Sequence, residues 1–407
     1  MASPAIVAIA YNRPEPLKRL LSSIEAAYYP EGVSPALVVS IDNSGSDEVA
    51  NAAREFTYTH GEKVIIERKE RMGLKNHVLA CGDLTEEYGS IIVLEDDLFV
   101  APCFYEYACK ALESAEKDDR IGSVSLYSHL FNVHVREGFI PVDDGFDNWY
   151  LQIASSWGQA YTRKQWESFR SWYADNKDRD LAGINVPANI SGWSEKSWLK
   201  YYITYLIETG KYTIYPRVGL TTNFGDVGTH ACRSDSDLQV PVQCSESPRC
   251  RFSTIDESRA VYDAFFEPLG IMDGENPVLG SYGKAGADTE TGTDKEALIV
   301  DLYGYKPIAQ MIDAAKAEGA QKVYVLTPKL LPYETVRSYG RQMRPVASNI
   351  SYGVKGNDIH LYDVSKSAAA PVKEPEALEF LYEYRGISVK RMMKIIRYRI
   401  LEKFGRS

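Results

Sequence analysis

Short apolar runs that alternate with amphipathic stretches characterise the first two thirds of this chain. Residues 5–10, 36–41 and 64–67 are short runs of β-branched or small apolar residues, a pattern that predicts buried strands. Between the first two runs, leucine and isoleucine recur at helical spacing after Pro14, a residue that suits the first turn of a helix. Strands that alternate with helices indicate a mainly parallel sheet, whose ligands bind at the carboxyl edge.

The most informative run is residues 90–100, which read as a buried strand carrying three consecutive acids. Glu95, Asp96 and Asp97 would stand at the carboxyl end of that strand. Three neighbouring carboxylates repel one another unless a cation or a hydrogen-bond network compensates them. A hard divalent cation completed by substrate phosphates is one solution. The alternative is an acidic junction between strand and loop that faces water.

Further alternation predicts a second, smaller α/β unit after a polar break. Residues 271–294 are dominated by Gly, Asp, Glu, Thr and Ser and are interpreted as a linker or exposed loop. We therefore expect one domain over residues 1–270, the small unit over 295–370, and a separate terminal segment over 371–407. The elements predicted within the small unit are strands at 297–303, 322–327 and 358–362 and helices at 307–317 and 333–343.

Composition narrows the class of protein. Of the 407 residues, 44% are hydrophobic and 25% charged, as in ordinary globular proteins. The net charge of −10 argues against a general nucleic-acid binder. The six cysteines show no zinc-like spacing, and we expect reduced thiols in a cytoplasmic protein. The first residues lack the basic region of a signal peptide, and no apolar run approaches the roughly 20 residues that span a bilayer.

The last twenty residues differ from the rest of the chain. Residues 388–407 contain seven Lys or Arg and a single acid, Glu402, and their apolar residues recur at helical spacing. A basic amphipathic helix on an acidic protein predicts attachment to an anionic membrane surface. The protein would then be peripheral on the inner face of the plasma membrane. The alternative is a helix packed on the body with a solvated basic face.

Three motifs together resemble a known enzyme family. They are Tyr11-Asn12-Arg13-Pro14, Ser40-Ile41-Asp42-Asn43, and the stretch 94–107 that contains the acids and continues into Ala-Pro-Cys-Phe-Tyr-Glu-Tyr. Over about residues 5–265 the chain resembles inverting GT-A-fold glycosyltransferases, in particular the N-acetylglucosaminyltransferase I type and bacterial capsule or O-antigen enzymes. The resemblance implies a Rossmann-like, mixed but mostly parallel sheet flanked by helices.

The resemblance also implies roles around the acids. Asp97 would bind Mn²⁺ or Mg²⁺, which bridges the diphosphate of a nucleotide sugar and neutralises the leaving group. Glu95 and Asp96 would accept hydrogen bonds from ribose or sugar hydroxyls. Arg13 would contact the nucleotide phosphates as a rigid fork of donors. The alternative for Arg13 is a surface position at a helix start.

Other residues receive weaker roles from the same resemblance, each with a competing structural one. Asp42 would bind the base or ribose, or else cap an Asx turn. His77 would lie over the base, or else be a structural residue at the start of a helix. His230 would reach the metal or diphosphate, or else belong to an ordinary loop. Trp157 and Gly158 would shape the donor-sugar and acceptor pocket, although Trp157 suits a core equally well.

An inverting transfer needs a general base for the acceptor hydroxyl. The family places it after an aromatic residue at a helix start, where Glu195 follows Trp193. Here Glu replaces the usual Asp, and this stretch also suits a plain helix N-terminus. The rival carboxylates are Asp143, Asp144, Asp147 and Asp226.

The sequence therefore predicts a metal-dependent inverting glycosyltransferase. It would use a nucleoside-diphosphate sugar, with a UDP-sugar favoured, and a lipid-linked glycan acceptor in bacterial surface polysaccharide synthesis. One alternative is a nucleotidyltransferase, which needs a glycine-rich phosphate loop that residues 8–12 lack. The other is a non-catalytic carbohydrate- or partner-binding protein on the same fold.

Overall fold

The computed structural model describes residues 3–226, 238–273, 276–277, 296–367 and Met393. Apolar runs form its strands, which are β1 Ala5–Ala10, β2 Leu37–Ile41, β3 Lys63–Glu67, β4 Ser90–Glu95, β5 Leu98–Val100, β6 Ile121–Ser125, β7 Phe131–Asn132, β8 Glu137–Gly138, β9 Asn148–Leu151, β10 Gln159–Thr162, β11 Tyr212–Pro216, β12 Thr221–Asn223, β13 Val261–Tyr262, β14 Met272–Asp273, β15 Asn276–Pro277, β16 Glu296–Val300, β17 Lys322–Thr327, β18 Tyr333–Tyr339 and β19 Ile359–Ser367. The helices are α1 Pro14–Glu25, α2 Glu48–Glu55, α3 Leu74–Gly82, α4 Thr85–Tyr88, α5 Phe104–Ala115, α6 Arg163–Asn176, α7 Ala188–Ser191, α8 Trp198–Glu208, α9 Ile308–Ala317 and α10 Ser348–Ser351.

Nine of the strands form one mixed sheet in the order β13-β9-β11-β6-β10-β4-β1-β2-β3. Five of its eight strand pairs are parallel. One hydrophobic core lies under α1, α2 and α5, and a second lies under α3, α6 and α8. The expected α/β class, with a mixed, mostly parallel sheet flanked by helices, is therefore confirmed.

The chain changes direction within the sheet between β1 and β4. From β1 it continues outward on one side to β2 and β3, and then returns to the other side of β1 as β4. The carboxyl ends of β1 and β4 therefore border the crevice where the strand order reverses. In open α/β sheets this switch point is where ligands bind.

One part of the strand prediction for residues 90–100 is wrong. The central strand ends at Glu95, Asp96 and Asp97 form a turn, and Leu98–Val100 forms the separate strand β5. β5 pairs antiparallel with β12 and not with β1. The acids therefore lie at the end of β4 and in the turn that leads to a second sheet.

The second unit is a four-stranded sheet in the order β16-β17-β19-β18, with β16, α9 and β17 forming a parallel βαβ unit. The helix predicted at 333–343 is wrong, because residues 333–339 are the edge strand β18. Tyr333, Thr335, Val336 and Tyr339 favour a strand, and β18 pairs with β19 with a register shift around Val336. The predicted domain boundaries stay predictions. The predicted helix 388–407 lies outside the described residues apart from Met393.

Buried charges join the two sheets. The ammonium of Lys306 pairs with the Asp263 carboxylate, and both are largely buried. Glu267 accepts a hydrogen bond from the Tyr303 backbone N–H, and burial, reinforced by the nearby Asp301, raises the pKa of Glu267 to about 8. Lys306 opposes that rise. One cation thus compensates several carboxyl groups where the units meet.

None of the described helices is both long and apolar enough to cross a bilayer.

Replacing the buried cation tests this junction. We expect Lys306→Met to lower the free energy of unfolding by about 3–5 kcal/mol, because removing one partner leaves buried carboxylates uncompensated. The measurement is urea denaturation followed by circular dichroism. Lys322→Met is the matched control, since Lys322 pairs with Glu296 at the surface and its loss should change stability by about 1 kcal/mol or less. Equal effects of the two substitutions would contradict the role assigned to Lys306.

Candidate functional site

Arg13 and the three acids meet at the switch point of the large sheet. Arg13 follows β1 and precedes α1, whereas Glu95, Asp96 and Asp97 follow the adjacent parallel strand β4. The Arg13 guanidinium bonds the Asp96 carboxylate, and its Nη2 lies 3.1 Å from Asp97 Oδ2. The structure thus brings together four residues that were predicted from separate motifs.

The electrostatics of this cluster are set by burial and by mutual repulsion. Burial, together with the nearby Asp97 and Asp96, raises the pKa of Glu95 well above its ordinary range. Burial also raises the pKa of Asp96 to about 6, against the opposing effect of Arg13. Burial disfavours the charged form of Arg13, but Asp96 and Asp97 outweigh it and raise the Arg13 pKa. The cluster is therefore short of positive charge.

Asp97 carries an oxygen that the protein leaves unused. Its Oδ1 atom is buried and has no hydrogen-bond partner among the described residues. Among the described residues, no group of three His, Cys, Asp or Glu side chains is placed to hold a metal ion by itself. Mg²⁺ and Mn²⁺ sites that use one or two carboxylates, with water and substrate phosphates as the other ligands, need no such cage. The donor set around Asp97 fits that mode.

A second wall of the site comes from β12 and the residues after it. The Phe224 backbone N–H donates to the Asp97 carbonyl at 3.0 Å, and the Phe224 ring packs 6.2 Å from that of Phe99. Arg19 on α1 lies over the Phe224 ring at 3.8 Å and forms an ion pair with Asp226. Asp226 is also close enough to raise the pKa of Asp96. Sequence reasoning missed Arg19, whose only signal is its place on the exposed side of α1.

Asp42 and His77 make internal contacts in this structure. The Asp42 carboxylate accepts hydrogen bonds from the backbone N–H groups of Met72 and Gly73 at 2.7 and 2.9 Å, just before α3. His77 is buried, its Nε2 lies 2.8 Å from Ser40 Oγ, and burial lowers its pKa to about 4. These contacts account for both residues structurally. Their contact with a nucleotide stays a prediction.

Trp157 and Gly158 lie immediately before β10. Gly158 has a φ of +99°, and a Cβ there would lie 3.0 Å from Thr221 Cγ2, so this position requires glycine. The half-buried Trp157 ring packs 4.7 Å from Tyr127 and 6.3 Å from His129. His129 is a buried residue that sequence reasoning missed, and burial lowers its pKa to about 3. A pocket role for Trp157 and Gly158 stays a prediction.

Glu195, the predicted base, is paired rather than free. Its carboxylate forms an ion pair with Lys200 on α8 and accepts a hydrogen bond from the Tyr201 hydroxyl. These bonds lower the pKa of Glu195, which weakens it as a base. Lys75 on α3 lies 4.9 Å from the Tyr201 ring centre, so Glu195 belongs to a cluster between α3 and α8.

The rival acids and His230 divide into three cases. Asp144 bonds Arg217 and the Ser258 hydroxyl, and Asp147 accepts from the Arg251 backbone, so both hold loops together. Asp143 accepts only from the nearby Gly145 backbone N–H among the bonds resolved here. His230 lies outside the described residues, and its predicted metal role stays a prediction.

A separate cavity of about 530 Å³ lies at the opposite end of β6, lined by the end of α5 and by the loop around residue 254. Its main charged group, Arg120, is held by Asp118 and Asp256. The charge of Arg120 is thus compensated by these two carboxylates. The acids at the switch point are therefore the better candidate for chemistry.

Removing Arg13 tests the charge balance of the site. We expect Arg13→Met to lower the free energy of unfolding by about 2–3 kcal/mol without metal, because Asp96 and Asp97 lose their cation and the pair is partly buried. Mn²⁺ alone should then raise the melting temperature more than it does in the wild type. Arg54→Met, which removes an exposed pair with Glu67, is the control and should show neither effect. A Mn²⁺ response no larger than that of the wild type would contradict this account.

Comparison with known proteins gives limited information. No protein-family model matches the sequence, and no curated protein matches it. Among solved structures, the chain is similar to a mannosyltransferase from Pyrobaculum calidifontis in complex with GDP-Man and Mn²⁺, at 17% identity and a TM-score of 0.32. The similarity covers 52% of this chain and 55% of that one, so the chain spans about half of that structure. A likeness this weak assigns no residue roles, and the proposals below depend on the geometry of this chain.

Proposed function

We propose that this chain is a metal-dependent glycosyltransferase of the inverting GT-A type that uses a nucleoside-diphosphate sugar. The observation that carries the proposal is the unpartnered Asp97 Oδ1, next to Arg13, at the switch point of a mostly parallel sheet. A diphosphate needs both a cation and a fork of N–H donors. Asp97 supplies a ligand for the cation, and Arg13 supplies the N–H donors.

Each donor-side residue then has a role that its surroundings support. Asp97 would hold Mn²⁺ or Mg²⁺, which when bound neutralises charge on the diphosphate leaving group. Arg13 would exchange its bonds to the acids for bonds to phosphate oxygens. Glu95 and Asp96 would accept hydrogen bonds from donor hydroxyls. The partial burial of the cluster strengthens each of these interactions relative to water.

The acceptor side of the proposal has less support. Glu195 is proposed as the base, and it would have to release Lys200 or Tyr201 to take a proton. The acceptor is proposed as a lipid-linked glycan at the cytoplasmic face of a membrane. That part depends on the basic composition of residues 388–407 alone.

The two alternatives are separated by specific features. A nucleotidyltransferase needs a glycine-rich loop after its first strand, and residues 11–13 between β1 and α1 contain no glycine. A non-catalytic binding protein would keep the donor site and lack transfer. The bonded state of Glu195 is the observation that favours this second alternative.

Asp97→Asn tests the donor site. We expect the wild type to show a Mn²⁺-dependent rise in melting temperature with one of UDP, GDP or dTDP, because a ligand that binds only the folded state stabilises it. Asp97→Asn should weaken the binding of that nucleotide on the order of 10–100-fold, as substitutions around a metal site typically do. Asp256→Asn, at the far end of the sheet, is the control and should bind like the wild type. No nucleotide response from folded wild-type protein would remove the transferase proposal.

Glu195→Gln tests the base. Once an acceptor is identified, we expect transfer to fall by about 10²–10⁴-fold, because general base catalysis is lost while donor binding is kept. The measurement is the transfer rate at saturating donor, together with nucleotide affinity. Glu208→Gln, which removes a surface partner of Arg179 at the end of α8, should leave transfer unchanged. Full transfer by Glu195→Gln would show that another group is the base.

A further inference from the structure

Gln159 presents a buried amide that the protein does not use. It is the first residue of β10 and is 2% exposed. Both its Nε2 and its Oε1 atom are buried without a hydrogen-bond partner among the described residues. Folded proteins rarely leave one such atom unpaired, and here a donor and an acceptor are unpaired on one side chain.

The strand register places this amide beside the acids. Gln159 lies opposite Val93 on β4 and opposite Ser125 on β6. Directly opposed residues share a face of the sheet, as do residues two apart on one strand, so Gln159, Val93 and Glu95 share a face. Gln159 and Glu95 are diagonal neighbours, whose Cβ atoms in such a sheet lie about 7–8 Å apart.

The backbone before Gln159 is fixed tightly. The Gly158 carbonyl accepts from the Leu126 backbone N–H at 3.0 Å, and the Trp157 carbonyl accepts from the Thr221 hydroxyl. Gly158 itself packs against Thr221 too closely for any Cβ. The amide of Gln159 is therefore held next to the end of β4 on a rigid segment, as a preorganised binding group would be.

The chemistry of the unpaired atoms indicates their partner. A primary amide that offers one donor and one acceptor matches a sugar hydroxyl, which both donates and accepts. Asp96 and Asp97 share the single guanidinium of Arg13, and a metal bound there would be compensated by the diphosphate, so the surrounding charge is negative even with Glu95 protonated. An anionic sugar such as a uronate would be repelled there, whereas a neutral hexose or N-acetylhexosamine would not.

We propose that Gln159 hydrogen-bonds a hydroxyl of the donor's sugar and that this sugar is uncharged. The proposal deepens the proposed transferase function and rests on it. It makes Gln159 a donor-binding residue that recognises the sugar but not the nucleotide. Removing the amide should therefore affect nucleotide sugars and leave the bare nucleotide unaffected.

Calorimetric titration of Gln159→Leu separates these two effects. The probes are UDP, GDP and dTDP with Mn²⁺, followed by neutral and uronate sugars of the nucleotide that binds. We expect bare nucleotide to bind within twofold of the wild type and the neutral nucleotide sugar to bind at least tenfold more weakly. The wild type should prefer the neutral sugar to the uronate at least tenfold.

Two further variants keep the test interpretable. Gln159→Met is unbranched and similar in volume to glutamine, so it controls for a perturbation of the strand by leucine. We expect it to show the same affinity loss as Gln159→Leu. Gln165→Leu is the matched control, because the Gln165 amide is fully engaged with the Thr162 and Ile121 backbone. We expect it to lower the melting temperature without selective loss of the sugar. Gln159→Leu should melt at or above the wild-type temperature, since it removes unpaired groups.

Each other outcome overturns a defined part. Unchanged affinity of Gln159→Leu and Gln159→Met for the nucleotide sugar would show that the amide binds only water. Equal loss for bare nucleotide and nucleotide sugar would overturn sugar recognition. Tighter binding of the uronate by the wild type would overturn the uncharged donor. If no bare nucleotide binds the wild type, the transferase proposal itself fails, and this inference fails with it.

Discussion

The compensation of three carboxylates at the end of one buried strand is the constraint on which the rest of the site depends. β4 must lie beside β1 for Arg13 to reach Asp96 and Asp97, and that adjacency exists because the chain reverses its strand order there. After the turn at Asp96 and Asp97, the short strand β5 pairs with β12, next to the contact between Phe224 and Arg19. The single guanidinium is shared by Asp96 and Asp97, which leaves an excess of negative charge. The site is thus prepared for a cationic ligand or for a ligand that brings its own cation.

The same chain solves a similar problem in a different way where its two sheets meet. Asp263, Glu267 and Asp301 surround Lys306, and most of their oxygens accept bonds from backbone N–H groups or from Thr327. The protein itself supplies most of the bonds in that cluster, and Glu267 Oε2 is its one oxygen without a hydrogen-bond partner among the described residues. At the switch point the corresponding bonds are missing from Asp97 Oδ1 and from the Gln159 amide. Unpaired atoms alone therefore do not separate the two clusters, and the candidate site differs by its place at the switch point of the sheet.

Much of this arrangement could be predicted from local pattern. The buried strand β1, the helix after Pro14 and the acids at the end of β4 follow from periodicity and from Pro and Gly placement. The wrong helix at residues 333–343 shows the limit, since an exposed edge strand carries polar residues without a clear period and is defined by its partner β19. The sequence analysis did not identify Gln159 and Arg19, because local sequence does not show which partner a side chain has or whether it has one. The pairing of Glu195 with Lys200 likewise depends on tertiary packing.

The two halves of the proposed reaction are prepared to different degrees. On the proposed donor side, Arg13, the acids and Gln159 lie at the ends of strands, and binding would require Arg13 to exchange its bonds to Asp96 and Asp97 for bonds to phosphate. On the acceptor side, the predicted base is exposed, bonded to Lys200 and Tyr201, and lowered in pKa, all of which oppose proton abstraction. A base in this state becomes effective only if an acceptor displaces its partners and dehydrates it. In the proposed reaction, donor binding would therefore be separable from acceptor activation.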